Sequence, residues 1–318
     1  MKFKQAIAGL LLGLLGTLPA TAQNYPARNI EVIVPTAAGG GTDLLTRSFV
    51  DHANKLLAKP MGVVNKPGGG GAVGLTDVAR ARPNGYKLAM GFVEITILPH
   101  LGIAPFKVDD FRPIARINAE PAAITVRADS SWQTLEDFVA AAKEKPNTIR
   151  VGSSGTGSIY HLAAVAFGKA AGAEFNNVPF EGANPAVTTL IGGHIEAVSV
   201  SPAEVSTYVE AGQLRLLGVM DKERSALFPE IPTMSELGYD VSVGTWRGLL
   251  APKNTPDDVI NTLREVSRKV AENPEFQAQM KRMNMTEAYL DAPEFAKAIA
   301  QDDQQFGDLI SNINLVGN

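Results

Sequence analysis

Apolar and polar positions fall in short blocks along this chain, and the blocks predict strands and helices in alternation. Ile30 to Val34, apolar but for Glu31, predicts a buried strand. The glycines at 39–41 permit a turn with positive φ. Thr42-Asp43 then open a helix to Ala58, with Leu45, Phe49, Ala53, Leu56 and Leu57 on one face. Pro60 stops it. A short strand at Val63-Val64, a second glycine-rich turn from Lys66 to Gly74 and a helix to about Arg82 follow, and the Pro83-Asn84-Gly85 turn starts a strand over Tyr86 to Met90. Strand and helix in this order predict a parallel sheet.

Asp109 to Asn118 reads as irregular, and Pro121 to Asp129 as a strand leaving the first unit. Ser131 and Thr134 cap a helix through Lys145, with Thr134 and Asp137 spaced as a capping box. A strand at Thr148 to Ser153, the turn SSGTGS and a helix from near Tyr160 then repeat the opening arrangement of strand, glycine-bearing polar turn and helix. Strands at 177–180, 195–200 and 214–219 alternate with helices at 185–190 and 203–211. Val241 to Leu250 reads as extended, and Thr255 opens a long helix through Val270. The helices after that lack strands of their own, so they are expected to pack back on the first unit, with chain crossings near Ala122 and Val243. The expected fold is α/β with two lobes, each a mainly parallel sheet flanked by helices, joined by two crossing strands. The first lobe is 23–121 plus 244–318, the second 122–243. Ligands bind such sheets outside the carboxyl ends of the strands, where both glycine turns lie.

Composition narrows the setting. Lys2 and Lys4, the apolar run from Ala6 to Leu18 and the small residues Ala20-Thr21-Ala22 predict a cleaved secretory leader over 1–22 and a periplasmic product. There is no cysteine to carry a lipid or form a disulfide. Losing Lys2 and Lys4 with the leader takes the formal charge from −4 down by two, to −6. An acidic chain without basic clusters is a poor partner for nucleic acid, and it must hold any anion by local geometry.

Several catalytic and cofactor patterns fail on inspection. Gly69, Gly71 and Gly74 satisfy G-x-G-x-x-G with Glu94 some twenty residues on, but Pro67 and a very short strand precede them, which argues against a dinucleotide site. Ser153, Ser154 and His161 suggest a hydrolase, yet G-x-S-x-G is missed in both registers. The four histidines show no paired metal-ligand spacing, and no glycine turn ends in Gly-Lys-Ser/Thr. No cofactor and no metal is expected.

What remains is an anion held by backbone amides at two helix starts. Asp43 can hold a bridging water there, or simply supply an acidic first turn. Arg247 can take a second carboxylate bidentately and Trp246 can stack on an aromatic ligand; equally, they can be a surface arginine and a packed tryptophan.

These residues resemble the periplasmic substrate-binding proteins of tripartite tricarboxylate transporters, the Bug family. The resemblance is carried by YPARNIEVIVPTAAGGGTD, VVNKPGGGGAVG, RPNGYKL, VGSSGTGSIYHLAA, VPFEGANPAVTTLIGGHIEA, LRLLGV, PEIPTMSELG and GLLAPKNTP, which run in order through nearly the whole mature chain. It implies a two-lobed periplasmic binding fold that closes on a small carboxylate held by main-chain amides and ordered waters between Thr36 to Asp43 and Ser153 to Ser158. The candidate ligand-binding set is Thr36, Ala37, Ala38, Gly39, Gly40, Thr42, Asp43, Gly70, Glu94, Ser153, Ser154, Gly155, Thr156, Gly157, Ser158, His161, Ser201, Trp246 and Arg247. The resemblance further implies a non-catalytic monomeric receptor that delivers a citrate-like di- or tricarboxylate to a two-component membrane permease. An aromatic or other mono- or dicarboxylate on the same scaffold, or an exported α/β enzyme using Ser154 and His161 or a bound nucleotide, are the alternatives. The first loop reads PTAAGGGTD where PFAPGGGTD is more usual, a smaller wall, and Glu94-Ile95-Thr96 stands where small hydroxyl residues are often found. Ligand specificity does not carry over.

Overall fold

The computed structural model describes residues 25–180, 182–225 and 227–311, so the leader expected at 1–22 lies outside the described residues. The strands are β1 (Ile30–Val34), β2 (Met61–Asn65), β3 (Lys87–Phe92), β4 (Phe111–Pro121), β5 (Ala123–Arg127), β6 (Arg150–Ser153), β7 (Asn176–Pro179), β8 (Ala197–Val200), β9 (Leu214–Val219), β10 (Gly244–Pro252) and β11 (Glu287–Asp291). The helices are α1 (Gly41–Ala53), α2 (Ala72–Ala79), α3 (Leu135–Glu144), α4 (Ile159–Ala171), α5 (Ala183–Ile191), α6 (Pro202–Glu210), α7 (Asp257–Ala271), α8 (Pro274–Arg282) and α9 (Ala292–Ser311).

They build two α/β lobes. One sheet has the order β11-β4-β10-β3-β1-β2 and the other β7-β6-β8-β5-β9. β1 is buried on both faces. Ile30 and Val32 pack with Leu45, Phe49, Leu263 and Phe276, whereas Ile33 packs with Leu75, Val78 and Phe295. A strand covered by helices on both sides must be apolar at successive positions, which explains the run VIV over its last three residues.

The sheets are mixed rather than mainly parallel. β1 is parallel to β2 and β3, and β6 to β7 and β8, as pairs joined by helical crossovers must be. β10 runs antiparallel to β3 and β4, and β5 runs antiparallel to β8 and β9. These strands carry the passages between sheets, so they enter against the direction of the crossover units.

The passages are tied together. The Ala122 amide donates to the Val243 carbonyl at 2.9 Å, Val243 to the Met220 carbonyl at 3.0 Å, and Met220 to the Ala122 carbonyl at 2.7 Å.

Three expectations about elements need correction. Residues 111–121 form the eleven-residue β4, not irregular chain. Its pairing with β10 shifts register between Arg247 and Gly248 and again between Leu249 and Leu250, and such bulges erase the period-two pattern that marks a strand. The C-terminal region does contribute a strand, β11, whose residues are mostly half-exposed and carry little apolar signal. Finally, α1 ends at Ala53, because the Asn54 side chain accepts from the Met61 amide at 2.7 Å and donates to its carbonyl at 3.2 Å, drawing the chain into β2.

Candidate functional site

The first loop is clamped from below. Asp43, buried in the first turn of α1, accepts from the Gly39 amide at 2.8 Å, from Asn65 Nδ2 at 2.9 Å and from Arg47 Nε at 3.0 Å. Asn65 also donates to the Thr36 carbonyl at 3.1 Å. Burial pushes the Asp43 carboxyl up, but the bonds from Arg47, Gly39 and Asn65 outweigh it and hold the group below the usual carboxylate range. Asp43 is therefore a brace for the loop. With Gly39 at φ 81, the chain turns so that the amides of Ala37, Ala38 and Gly40 stay exposed and find no acceptor among the described residues.

The second glycine turn is a structural one. Gly71, at φ 102, would place a Cβ 2.6 Å from Phe92 Cζ, and Gly74 would place one 2.7 Å from the Lys66 carbonyl and 3.0 Å from Pro35. These glycines let α2 press against the end of β1. Gly70, at φ 64, lies on the same turn, where an added Cβ would meet Leu98 Cδ2 at 3.4 Å.

The loop after β6 leads into α4 in the other lobe. Ser158 caps α4, its hydroxyl accepting from the His161 amide at 3.3 Å. The Gly157 amide donates to His161 Nδ1 at 3.0 Å, so Nδ1 is the unprotonated nitrogen and the proton sits on Nε2. Burial keeps this imidazole below its ordinary pKa, hence neutral. His161 thus shapes the turn through the ring nitrogen that a triad orienter would have to hold. The amides of Gly155 and Thr156 have no acceptor among the described residues, and the fully buried Ser153 Oγ has none either. Ser154 flanks them, half-exposed.

Arg247 joins the two lobes' chemistry. It is buried on β10, its Nε donating to Thr42 Oγ1 at 3.1 Å and its Nη1 to Asn118 Oδ1 at 2.7 Å. Gly41 lets the guanidinium approach, for a Cβ there would lie 3.3 Å from Nη2. From the other lobe, Ser201 caps α6 in a reciprocal box with Glu204, whose Oε2 accepts from the Ser201 amide at 3.1 Å. Glu204 keeps partial exposure, yet its carboxyl end lies inward, and burial raises it while Arg247 opposes the rise. The phenol of Tyr160 is pushed well up by burial and by Glu204. Glu94 bridges the lobes, its Oε1 accepting from the Ile159 amide at 3.5 Å. The lobes also touch where Gly157 faces Leu101.

Trp246 is not part of this cluster. Successive strand residues point to opposite faces, so the indole is directed to the far side of β10 from Arg247. There it lies edge-on to Phe295 at 4.9 Å and donates from Nε1 to Asp302 Oδ2 at 2.7 Å. It lines a cavity of about 570 Å³ behind the crossing strands, together with Arg116, Asp221 and Asp302.

Sequence reasoning missed Asn118, Glu120, Tyr160 and Glu204 at the cluster. Ser201-x-x-Glu204 is a capping-box spacing and could have been found. Asn118 and Glu120 lie on the bulged strand and gave no signal.

The family model of the tripartite tricarboxylate transporter family receptors matches residues 45–315. A UPF0065 protein in the gbd 5' region of Cupriavidus necator is 31% identical over 98% of this chain and 95% of its own. Protein BugT of Bordetella pertussis is 31% identical over 80% of each chain. The crystal structure of a TctC solute binding protein from Polaromonas is similar with a TM-score of 0.79 and 45% identity, over 91% of this chain and 100% of that one.

Proposed function

This chain belongs to the tripartite tricarboxylate transporter receptor family, and we propose that within it the protein binds a small aliphatic di- or tricarboxylate between its lobes in the periplasm and hands it to a two-component membrane permease. The observation that carries the ligand class is the pair of loops with unpartnered amides, at Ala37, Ala38 and Gly40 before α1 and at Gly155 and Thr156 before α4. A helix start supplies free donors and the positive end of the macrodipole, so each loop suits a carboxylate oxygen. A bond from an amide to a charged acceptor contributes roughly 1.5 to 3 kcal/mol net. Four or five of them reach the ~8 kcal/mol of a micromolar ligand after association costs. Arg247, with two of its donor atoms committed to Thr42 and Asn118, supplies the positive field for a second carboxylate.

An aliphatic ligand fits better than an aromatic one, because the indole of Trp246 is committed to Phe295 and Asp302. Among the described residues no helix is long and apolar enough to cross a membrane. The test is thermal unfolding of the chain from Gln23 onward against citrate, succinate, benzoate and a nucleotide. A ligand at ~100 times its dissociation constant adds about 2.7 kcal/mol. Stabilisation by citrate or succinate is expected. Stabilisation by benzoate alone would replace the aliphatic class with the aromatic one, and stabilisation by the nucleotide alone would overturn the proposal.

A further inference from the structure

The start of α4, where the ligand carboxylate is placed above, already meets a carboxylate of the protein itself. Glu94 lies in the single helical turn Val93–Thr96 after β3 and is 7% exposed. Its Oε1 accepts from the Ile159 amide across the lobe boundary at 3.5 Å, and its Oε2 has no hydrogen-bond partner among the described residues. One long bond and one unpaired oxygen leave an ionised carboxylate poorly compensated. The groups facing it are Arg247 from β10 and Glu204 from α6. Behind them stand Tyr160 from α4 and Glu120 from β4, which act on Glu204. One guanidinium thus stands among three carboxyls. A ligand carboxylate brought to the neighbouring amides of Gly155 and Thr156, at the same helix start, adds negative charge nearby.

We propose that Glu94 is a specificity residue of this cleft and takes up one proton when a carboxylate ligand binds, so that ligand anion and proton enter together. The inference rests on the carboxylate-receptor reading and deepens it. Protonated, Glu94 becomes a donor and gives the ligand oxygen a hydrogen bond in place of a repulsion. Burial already lifts the Glu94 carboxyl to about 7, against the pull of its backbone bonds and of Arg247, and a second carboxylate close by lifts it further. No oxidant or other reactant is involved: the proton comes from solvent and forms an O–H bond on Glu94. The sign follows from linkage. A group whose pKa is higher in the bound than in the free state favours binding at low pH, and the advantage is lost as pH rises.

The experiment is calorimetric titration of the full mature chain with succinate and with citrate from about pH 7.5 to about pH 8.5, where both probes are fully ionised, in phosphate and in Tris. The wild type is expected to lose up to about tenfold in affinity per pH unit, with a buffer-dependent heat that reports up to one proton taken up. Glu94→Gln is expected to abolish both the slope and the buffer dependence. An infrared difference spectrum of the wild type should gain a protonated carboxyl band on adding succinate, a readout independent of how well the variant folds. Binding with a flat pH profile, or a slope that persists in Glu94→Gln, would overturn this inference and leave the receptor reading intact. No binding of either probe would overturn both.

Discussion

Arg247 Nε donates to Thr42 Oγ1 at 3.1 Å, so a strand that passes between the lobes is fastened to the first turn of α1 beside the glycine loop. The same guanidinium holds Asn118 on the neighbouring strand, which makes it a joint as well as a charge. Arg247→Ala removes both bonds and leaves the cluster of Glu94, Glu120 and Glu204 without its cation. A drop in stability of about 2 to 4 kcal/mol is expected in denaturant unfolding, with a larger loss of affinity for succinate than for acetate. Arg247→Lys keeps the charge but not the fork, and is expected to recover only part of the affinity. Equal losses for the two ligands would sink the second-carboxylate role.

Gly157 and Leu101 form a contact between lobes in which an added side chain would displace the leucine methyl. Gly157 has φ 74, and a Cβ there would lie 2.4 Å from Leu101 Cδ1. Gly157→Ala should weaken ligand binding by pushing the lobes apart at this contact and should cost about 1 kcal/mol for the backbone conformation as well. Adding Leu101→Ala is expected to restore part of the affinity while leaving the backbone cost. Titration of both variants with the same ligand separates the two contributions.

Asp43→Asn keeps the size of the side chain but weakens its hold on Gly39, Asn65 and Arg47. About 1 to 3 kcal/mol of stability and at least tenfold in ligand affinity should be lost, since the loop amides are no longer fixed. The Asp43 carboxyl is held low in the folded protein, so its contribution is present above the unfolded carboxylate pKa of about 4 and disappears as pH falls. Acid unfolding of the wild type and of Asp43→Asn should therefore converge at low pH.

Trp246 and Asp302 predict the opposite behaviour. Burial raises Asp302 to about 6 although the Trp246 bond and Arg116 pull it down. A carboxyl whose folded pKa lies above its unfolded value contributes stability that is present below the unfolded value and is lost as pH rises through about 6. Asp302→Asn should flatten the stability profile between about pH 4 and pH 6. Trp246→Phe should lower the melting temperature by leaving the buried carboxyl unpaired, and should leave the affinity for benzoate unchanged. A benzoate affinity that falls with Trp246→Phe would restore the indole to the ligand site.

Much of the fold was readable because its signals are local. The Thr134-x-x-Asp137 capping box forms as spaced, with the Asp137 amide donating to Thr134 Oγ1 at 3.2 Å. β9 occupies Leu214–Val219 as its apolar run indicates. β4 was not readable, because its bulges move apolar residues out of alternation, and β11 was not, because a half-exposed edge strand needs no apolar face. Trp246 and Arg247 could have been separated on paper: neighbours on a strand cannot both face one cleft.

The sequence by itself determined the strand–glycine turn–helix units, the receptor family and the loops that carry unpartnered amides, since turn chemistry and helix starts depend on residues within a few positions of one another. Only the tertiary structure decided that Asp43 faces its own loop, that Arg247 is committed to Thr42 and Asn118, and that Glu94 reaches the first turn of α4 in the other lobe. Those partners lie from 4 to 205 positions apart, and their energetics depend on burial, which arises only when the two lobes meet.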